Sequence, residues 1–477
     1  MPRRLLSGIA ALAIALTTWL ALVPAARSAP TDLADRIAAL PGVASVEERP
    51  VAEGFRFFVI GFTQRVDHDD PGKGTFTQRL TLLHRSEDRP MIMYTSGYNV
   101  STNPGRSEPA RIVDGNQLSM EYRFFTPSRP SNPDWEDELT IKQAATDQHV
   151  IIESFKQLYD QNWLTTGGSK GGMTATYHRR FFPDDVNGSV PYVAPNDVLD
   201  SRDEAYDSFL AGVGTDPACR DRLVGLQRRV LSDRDTWDAR VADASAQAGL
   251  TYRIVGNRWQ AIESGVIDLY FAFWQYTPQS ECGSVPDPDT ATDDQVWDFY
   301  EATSPLTGYA DQNLERYVPY YFQAAYQLGS PKPYEDRIGD LLQYPGTNIA
   351  RNFVPRSVRP NRFDWPAMRD IDRWVRTSSE RMLYVYGGND PWSAEPFTCG
   401  TSGASRECFR FFVDGGTHGS NIEQLPPAER DRAVALVRSW AGLDDTISAR
   451  RTGLPPKIDG LDREPDYLEA PRAVPLR

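Results

Sequence analysis

Histidine and cysteine are scarce in this chain, with five of the first and four of the second among 477 residues. No C-x-x-C pair occurs and no histidines stand at zinc-ligand spacing, so neither a metal centre nor another cofactor is expected. Positive charge is also short. Against 65 Asp and Glu stand 51 Lys and Arg, a formal net charge of −14, which argues against nucleic acid as a partner. What is not lacking is apolar material. Hydrophobic residues at 40% and aromatics at 11% suffice to build a core, and the length admits one large core with an insertion, or two domains.

At the start, Arg3 and Arg4 precede an apolar run from Leu5 to Val23, and Ala26-Arg27-Ser28 offers small residues of the kind found where a leader is cut. The run is nearly long enough to span a bilayer, but the small-residue exit and Pro30 favour removal. No cysteine follows the run, which leaves a lipoprotein anchor without support. Residues 1–28 are therefore read as a secretory signal peptide, and loss of their three arginines takes the formal charge from −14 to −17. A secreted, extracellular location follows, with no membrane attachment after leader removal and a monomer favoured. An even number of cysteines in an exported chain implies disulfides. Of the three possible pairings, Cys219 with Cys282 and Cys399 with Cys408 are expected, because each pair falls within one predicted region.

The stretch Trp163 to Met173, WLTTGGSKGGM, places Ser169 between Gly167 and Gly171 in a G-x-S-x-G pattern. A nucleophilic serine at a sharp strand-to-helix turn needs neighbours without side chains, so that strand and helix can pack closely. Asn162 to Thr166 reads as the strand before the turn. Met173 to Phe182 reads as the helix after it, stopped by Pro183.

Ahead of this turn the spacing predicts a short helix over 31–40, strands at Phe55–Phe62 and Thr75–His84, a strand at Pro90–Thr95 and another at Leu118–Phe125. A helix over Ile141–Tyr159 precedes the elbow, and the strand Asn187–Val193 follows it. The cluster His68, Asp69, Asp70 is read as a hairpin loop and not as a metal site. Strand, helix, strand, serine, helix is the order of a doubly wound parallel sheet, here an α/β class chain with the α/β-hydrolase fold. Residues 29–199 form its first part. Residues 200–377 are mostly helical and rich in aromatics, and are read as a lid or cap insertion. The sheet resumes over 378–445 with strands at Met382–Tyr386 and Phe409–Val413 and a helix at Pro426–Trp440. A proline-rich tail, 446–477, is expected to lie draped on the surface or loose.

A serine nucleophile needs a base and an acid that orients the base. In this fold they follow in the order serine, acid, histidine, at the ends of strands. The scarcity of histidine now helps. His68, His84 and His149 precede the elbow, and His178 sits nine residues into its helix, roughly 13 Å along the axis. His418, in GGTHG, remains. For the acid, Asp390 in GGND is preferred to Asp414, which lies only four residues before His418. The backbone N–H groups of Lys170 and Tyr98, the latter after the strand at 90–95, are the expected oxyanion donors.

TGGSKGG, GGNDPWS and GGTHGSN, with MEYRFF ahead of them, resemble the secreted bacterial prolyl tri- and tetrapeptidyl aminopeptidases, the PS-10 peptidase family, and more distantly the lysosomal prolyl carboxypeptidase and dipeptidyl peptidase II family. The resemblance spans about residues 40–445. It implies a serine exopeptidase that releases short N-terminal peptides with proline before the cut, carried by Ser169, Asp390 and His418. It also implies an aromatic proline pocket, for which Trp392 stands beside the acid. Peptides with a free N-terminus would be the partners, and a buried or partly buried carboxylate would read the α-amine. Glu204 is the first candidate and Glu121 the second. The same triad permits a secreted carboxylesterase or lipase, and a non-catalytic binding protein on this scaffold is the third reading.

Overall fold

The computed structural model describes residues 32–198, 203–443 and 454–462. The expected leader, and most of the tail, lie outside them. Among the described residues nine strands form one sheet in the order β1-β2-β3-β5-β4-β6-β7-β8-β9. These are β1 (Val43–Arg49), β2 (Arg56–Arg65), β3 (Thr75–His84), β4 (Met91–Tyr94), β5 (Asn116–Met120), β6 (Trp163–Gly168), β7 (Gly188–Tyr192), β8 (Met382–Gly387) and β9 (Cys408–Val413). The first three make an antiparallel meander joined to the antiparallel β5. From β5 through β4 to β9 every pairing is parallel. This is the α/β-hydrolase fold expected from the element order.

Helix α1 (Leu33–Ala38) precedes the meander, α2 (Glu108–Val113) links β4 to β5, α3 (Ile141–Phe155) leads into β6 and α4 (Lys170–Phe181) follows it. Between β7 and β8 lie α5 (Glu204–Gly212), α6 (Pro217–Ser232), α7 (Arg258–Tyr276), α8 (Val318–Gln323) and α9 (Pro366–Thr377), and α10 (Pro427–Trp440) follows β9. The strands from β4 to β8 are buried throughout because both faces are covered. Along β4, Met91 and Met93 pack with Ile151, Ile152 and Phe155 of α3, while Ile92 packs with Val113 of α2 and Trp440 of α10.

Four elements differ from expectation. Strand β1 carries no fully buried position, so its sequence lacks the apolar alternation that marks an inner strand. The strand expected over 118–125 ends at Met120, and Glu121, Tyr122 and Arg123 turn into the core beyond it. Met368, Ile371 and Val375 of α9 pack against Met173 and Tyr177 of α4 and Met382 and Tyr384 of β8. That makes α9 a core helix and ends the insertion before residue 366. Finally, residues 454–462 are docked: Arg106 holds Asp462 with two bonds of 2.9 and 2.6 Å, and Leu461 is buried against Phe57 and Leu83.

The insertion packs on the sheet edge through one continuous apolar cluster. It joins Tyr206, Phe271, Trp274 and Tyr320 to Tyr98, Tyr122, Phe124 and Phe125 of the core. Helix α7 is buried from Ala261 to Gln275, and its two buried carboxylates are hydrogen-bonded, Glu263 by the Gln343 and Tyr344 N–H groups and Asp268 by Tyr309 and Asn348. Both expected disulfides are formed, Cys219–Cys282 and Cys399–Cys408. Among the described residues no helix is long and apolar enough to cross a membrane.

Candidate active site

Ser169 joins β6 to α4 with φ 54° and ψ −127°, a backbone conformation that costs a non-glycine residue about 1–3 kcal/mol. The surroundings hold it there. Its N–H donates to the Tyr192 carbonyl at 2.9 Å. A Cβ at Gly167 would lie 2.3 Å from the Thr95 carbonyl oxygen, one at Gly171 2.0 Å from the same atom, and one at Gly172 2.8 Å from that of Tyr192. Each of these glycines lets β4, β7 and α4 close on the elbow.

After β8, Asp390 caps a single 3-10 turn. Its Oδ1 accepts from the Trp392 N–H at 3.2 Å, and its Oδ2 accepts from the Ser393 hydroxyl at 3.3 Å and from His418 Nδ1 at 2.8 Å. Acid and imidazole are both fully buried. Facing a carboxylate, Nδ1 carries the proton, and Nε2 is left as the basic nitrogen. Asp414, the rival acid, is exposed. Two contacts brace the histidine loop. The His418 N–H donates to the Gln275 carbonyl in the last turn of α7 at 2.8 Å. Partly buried Glu108 accepts from the N–H groups of Ile422 and Glu423 at 2.8 and 2.9 Å and from the Tyr192 hydroxyl at 2.9 Å. Gly167 and Gly168 on one side, and Thr417 and Gly419 on the other, line one cavity of about 660 Å³.

Lys170 begins α4, where a backbone N–H has no intrahelical acceptor. Tyr98 differs from expectation. Its N–H is spent on the Ser96 hydroxyl at 3.2 Å, because the turn after β4 closes on itself. Its phenol instead lies beside the Ser169 side chain, and burial, with Tyr320 and Tyr317 beside it, pushes the phenol well above its usual pKa. It stays protonated and is a donor.

Beside Ser169 and Lys170 lies a small recess of about 10 Å³, walled by Met173, Asp197, Tyr320, Leu328, Gly329 and Trp392. Trp392 is buried, edge-on to Phe271 at 5.2 Å and to Tyr206 at 6.5 Å. Asp197 accepts a short hydrogen bond from Tyr206, and burial raises its pKa to about 7.

A family model for the PS-10 peptidases S37 matches residues 26–454. The chain belongs to that family. It is 54% identical over 412 residues to the prolyl tri/tetrapeptidyl aminopeptidase of Streptomyces mobaraensis, covering 86% of this chain and 85% of that one. Among solved structures, the proline iminopeptidase of Mycobacterium smegmatis matches at 12% identity and TM-score 0.36, over 83% of this chain and 99% of that one. Epoxide hydrolase A of Mycobacterium thermoresistibile matches at 12% and 0.32, over 83% and 98%. The protein is a serine peptidase.

In this S37 peptidase the two carboxylates expected to read an amine part company. Glu121 is fully buried, with Arg79 paired to it, and it accepts from the Val100 N–H at 3.1 Å and the Ser128 hydroxyl at 2.9 Å. It is occupied in holding the loop after β4 and does not line the recess, so it is not a substrate ligand. Glu204 is exposed in the first turn of α5, the helix whose Tyr206 meets Asp197 and Trp392.

Asp197 was not singled out in the sequence. Its one signal is position, a carboxylate just past the end of β7 at the same sheet edge as the elbow. Glu108 was missed too, since its partners lie 314 and 315 residues away. Among the described residues one group, His149, Glu153 and Asp185, brings possible metal-ligand atoms within 4.8 Å of one another. There Asp185 is already bonded by His149 and by His178, toward the far end of α4 from Ser169.

Proposed function

We propose that this peptidase is an exported exopeptidase that releases tri- or tetrapeptides from free N-termini and cuts after proline. The observation that carries the proline reading is the character of the side chains lining the small recess at Ser169. Trp392, Tyr320, Met173 and Leu328 offer it apolar and aromatic walls, and a pyrrolidine ring has no donor that such walls would leave unpaired. The name of the Streptomyces relative supports the same specificity. Export is supported by the leader pattern in residues 1–28 and by two disulfides in a chain with no free cysteine.

In the mechanism, the Ser169 hydroxyl attacks the carbonyl of the proline residue while His418 Nε2 takes its proton and Asp390 holds the imidazolium at Nδ1. Negative charge on the carbonyl oxygen falls to the Lys170 N–H and the Tyr98 hydroxyl. Collapse of the tetrahedral species breaks the C–N bond, and His418 returns the proton to the leaving amine. Water then repeats the sequence on the acyl-enzyme, releasing the short peptide and restoring Ser169. Glu204, in the first turn of the helix whose Tyr206 packs on Trp392, receives the substrate's α-ammonium and so counts residues from the free end.

A prolyl tripeptide anilide, its N-acetylated form and a short-chain ester, compared at equal concentration, test this reading. It expects the free-amine peptide to be cleaved with the highest kcat/KM and Glu204→Gln to erase most of its advantage over the acetylated form. Preference for the blocked peptide or the ester would overturn it.

A further inference from the structure

Lys170 follows the nucleophile in sequence, and its side chain runs away from the recess into the core, where it is 2% exposed. Its Nζ donates to the Gly97 carbonyl at 2.9 Å. The same nitrogen stands 3.2 Å from the centre of the Tyr122 ring, with the Tyr98 and Phe125 rings at 5.7 and 5.8 Å. Burial alone acts on this ammonium, with no carboxylate opposing it, and pushes it well below the usual lysine range. A buried amine with no counter-charge is a costly way to fill an aromatic cage that methionine would fill as well. The position therefore calls for a task that packing does not explain.

The loop it grips supplies one. Gly97 has φ +79°, and a Cβ there would lie 2.8 Å from the backbone of Lys170 and Gly171, so loop and elbow touch backbone to backbone. The turn is short. The Ser96 hydroxyl donates to the Asn99 carbonyl at 2.8 Å and accepts from the Tyr98 N–H, so moving Gly97 moves Tyr98. One residue thus holds both sides of the oxyanion site: its backbone N–H is one donor, and its side chain anchors the loop that carries the other.

We infer that Lys170 is a positioning residue whose side-chain amine ties the Gly97 carbonyl to the nucleophile elbow and thereby sets the Tyr98 hydroxyl against the developing oxyanion. The inference rests on the serine mechanism proposed above. Because Nζ touches neither substrate nor Ser169, its effect falls on the chemical step and not on binding.

Lys170→Met keeps length and apolar volume and removes only the donor. The measurements are kcat and KM on the prolyl tripeptide anilide, the rate of Ser169 labelling by a fluorophosphonate, and the thermal midpoint. The expected result is a fall of about 10- to 100-fold in kcat and in labelling rate, KM within about twofold, and an equal or higher midpoint. In a Tyr98→Phe background the same substitution should have little further effect, since the donor it positions is gone. Lys170→Arg, which restores a donor, should recover part of the rate and serves as the test if the Met variant does not fold. Unchanged kcat, full additivity with Tyr98→Phe, or a loss that follows a fallen midpoint would overturn the inference. Ser169→Ala separates it from the reading beneath. Turnover surviving there removes the mechanism itself, whereas its loss beside an unimpaired Lys170→Met removes only the role of the lysine.

Discussion

At the sheet edge each residue of the proposed triad arrives at the end of its own strand: Ser169 after β6, Asp390 after β8 and His418 after β9. The recess beside them is assembled differently. Tyr206 comes from α5, Phe271 from α7 and Tyr320 from α8, and they meet Trp392 and Asp197 of the core only through tertiary packing. The chemistry is thus built from short backbone motifs, each with its own glycines and turn. Selectivity is built from side chains that share no local signal. Substitutions on the two sides should therefore fail in different ways, with the sheet edge governing kcat and the insertion governing which peptide is chosen.

The largest effect belongs to the sheet edge. Asp390→Asn keeps the shape of the site but offers His418 the wrong hydrogen-bond partner, and kcat should fall by about 10⁴ in steady-state assays with KM little changed. Tyr98→Phe removes the phenol donor and should lower kcat by about 10²–10³, again without a matching rise in KM. A rise in KM alone would place Tyr98 on the recess side of the comparison.

On the other side, Trp392→Leu should reduce the preference for proline over alanine before the cut about tenfold, measured as a ratio of kcat/KM values. Fluorophosphonate labelling of Ser169 should stay within a few-fold of the parent rate. A collapse of labelling would show that the indole supports the catalytic groups themselves.

A separate effect is on stability. Asp197 has a folded pKa of about 7, above the value of about 3.9 for an unperturbed aspartate, so the folded state keeps the proton longer than the unfolded one. Its contribution is fully present below about pH 4 and is lost as pH rises toward 7. The parent should lose up to about 1.4 kcal/mol per pH unit across that window relative to Asp197→Asn. Denaturant unfolding of both proteins at pH 4, 5.5 and 7 checks the slope, and parallel curves would mean that Asp197 is already ionised at pH 4.

The same contrast explains what could be read from the amino-acid order. Strand ends, glycines and a shortage of histidines confine the choice to Ser169, Asp390 and His418, and of these the structure joins His418 to Asp390 at 2.8 Å. The strands β4 and β8 were legible because they are short apolar runs buried on both faces. Strand β1 was not, since none of its positions is fully buried and it has no apolar face to alternate. Tyr98 was found for the wrong atom: strand position placed the residue, but only the closed turn shows that Ser96 takes its N–H and leaves the phenol for Ser169. Glu121 looked like a ligand because an acid in an apolar run needs a reason. The reason proved to be Arg79, 42 residues away, and sequence spacing alone does not reveal such a partner. The docked tail and the recess wall belong to the same class of long-range fact.

The central claim is that Ser169 is made nucleophilic by the His418–Asp390 pair. Mass spectrometry of the protein after reaction with a fluorophosphonate tests it most directly. The account predicts one adduct, on Ser169, formed in the parent and slowed at least a hundredfold in His418→Ala at an unchanged thermal midpoint. An adduct on another residue, or equal labelling of Ser169 with and without His418, would contradict it.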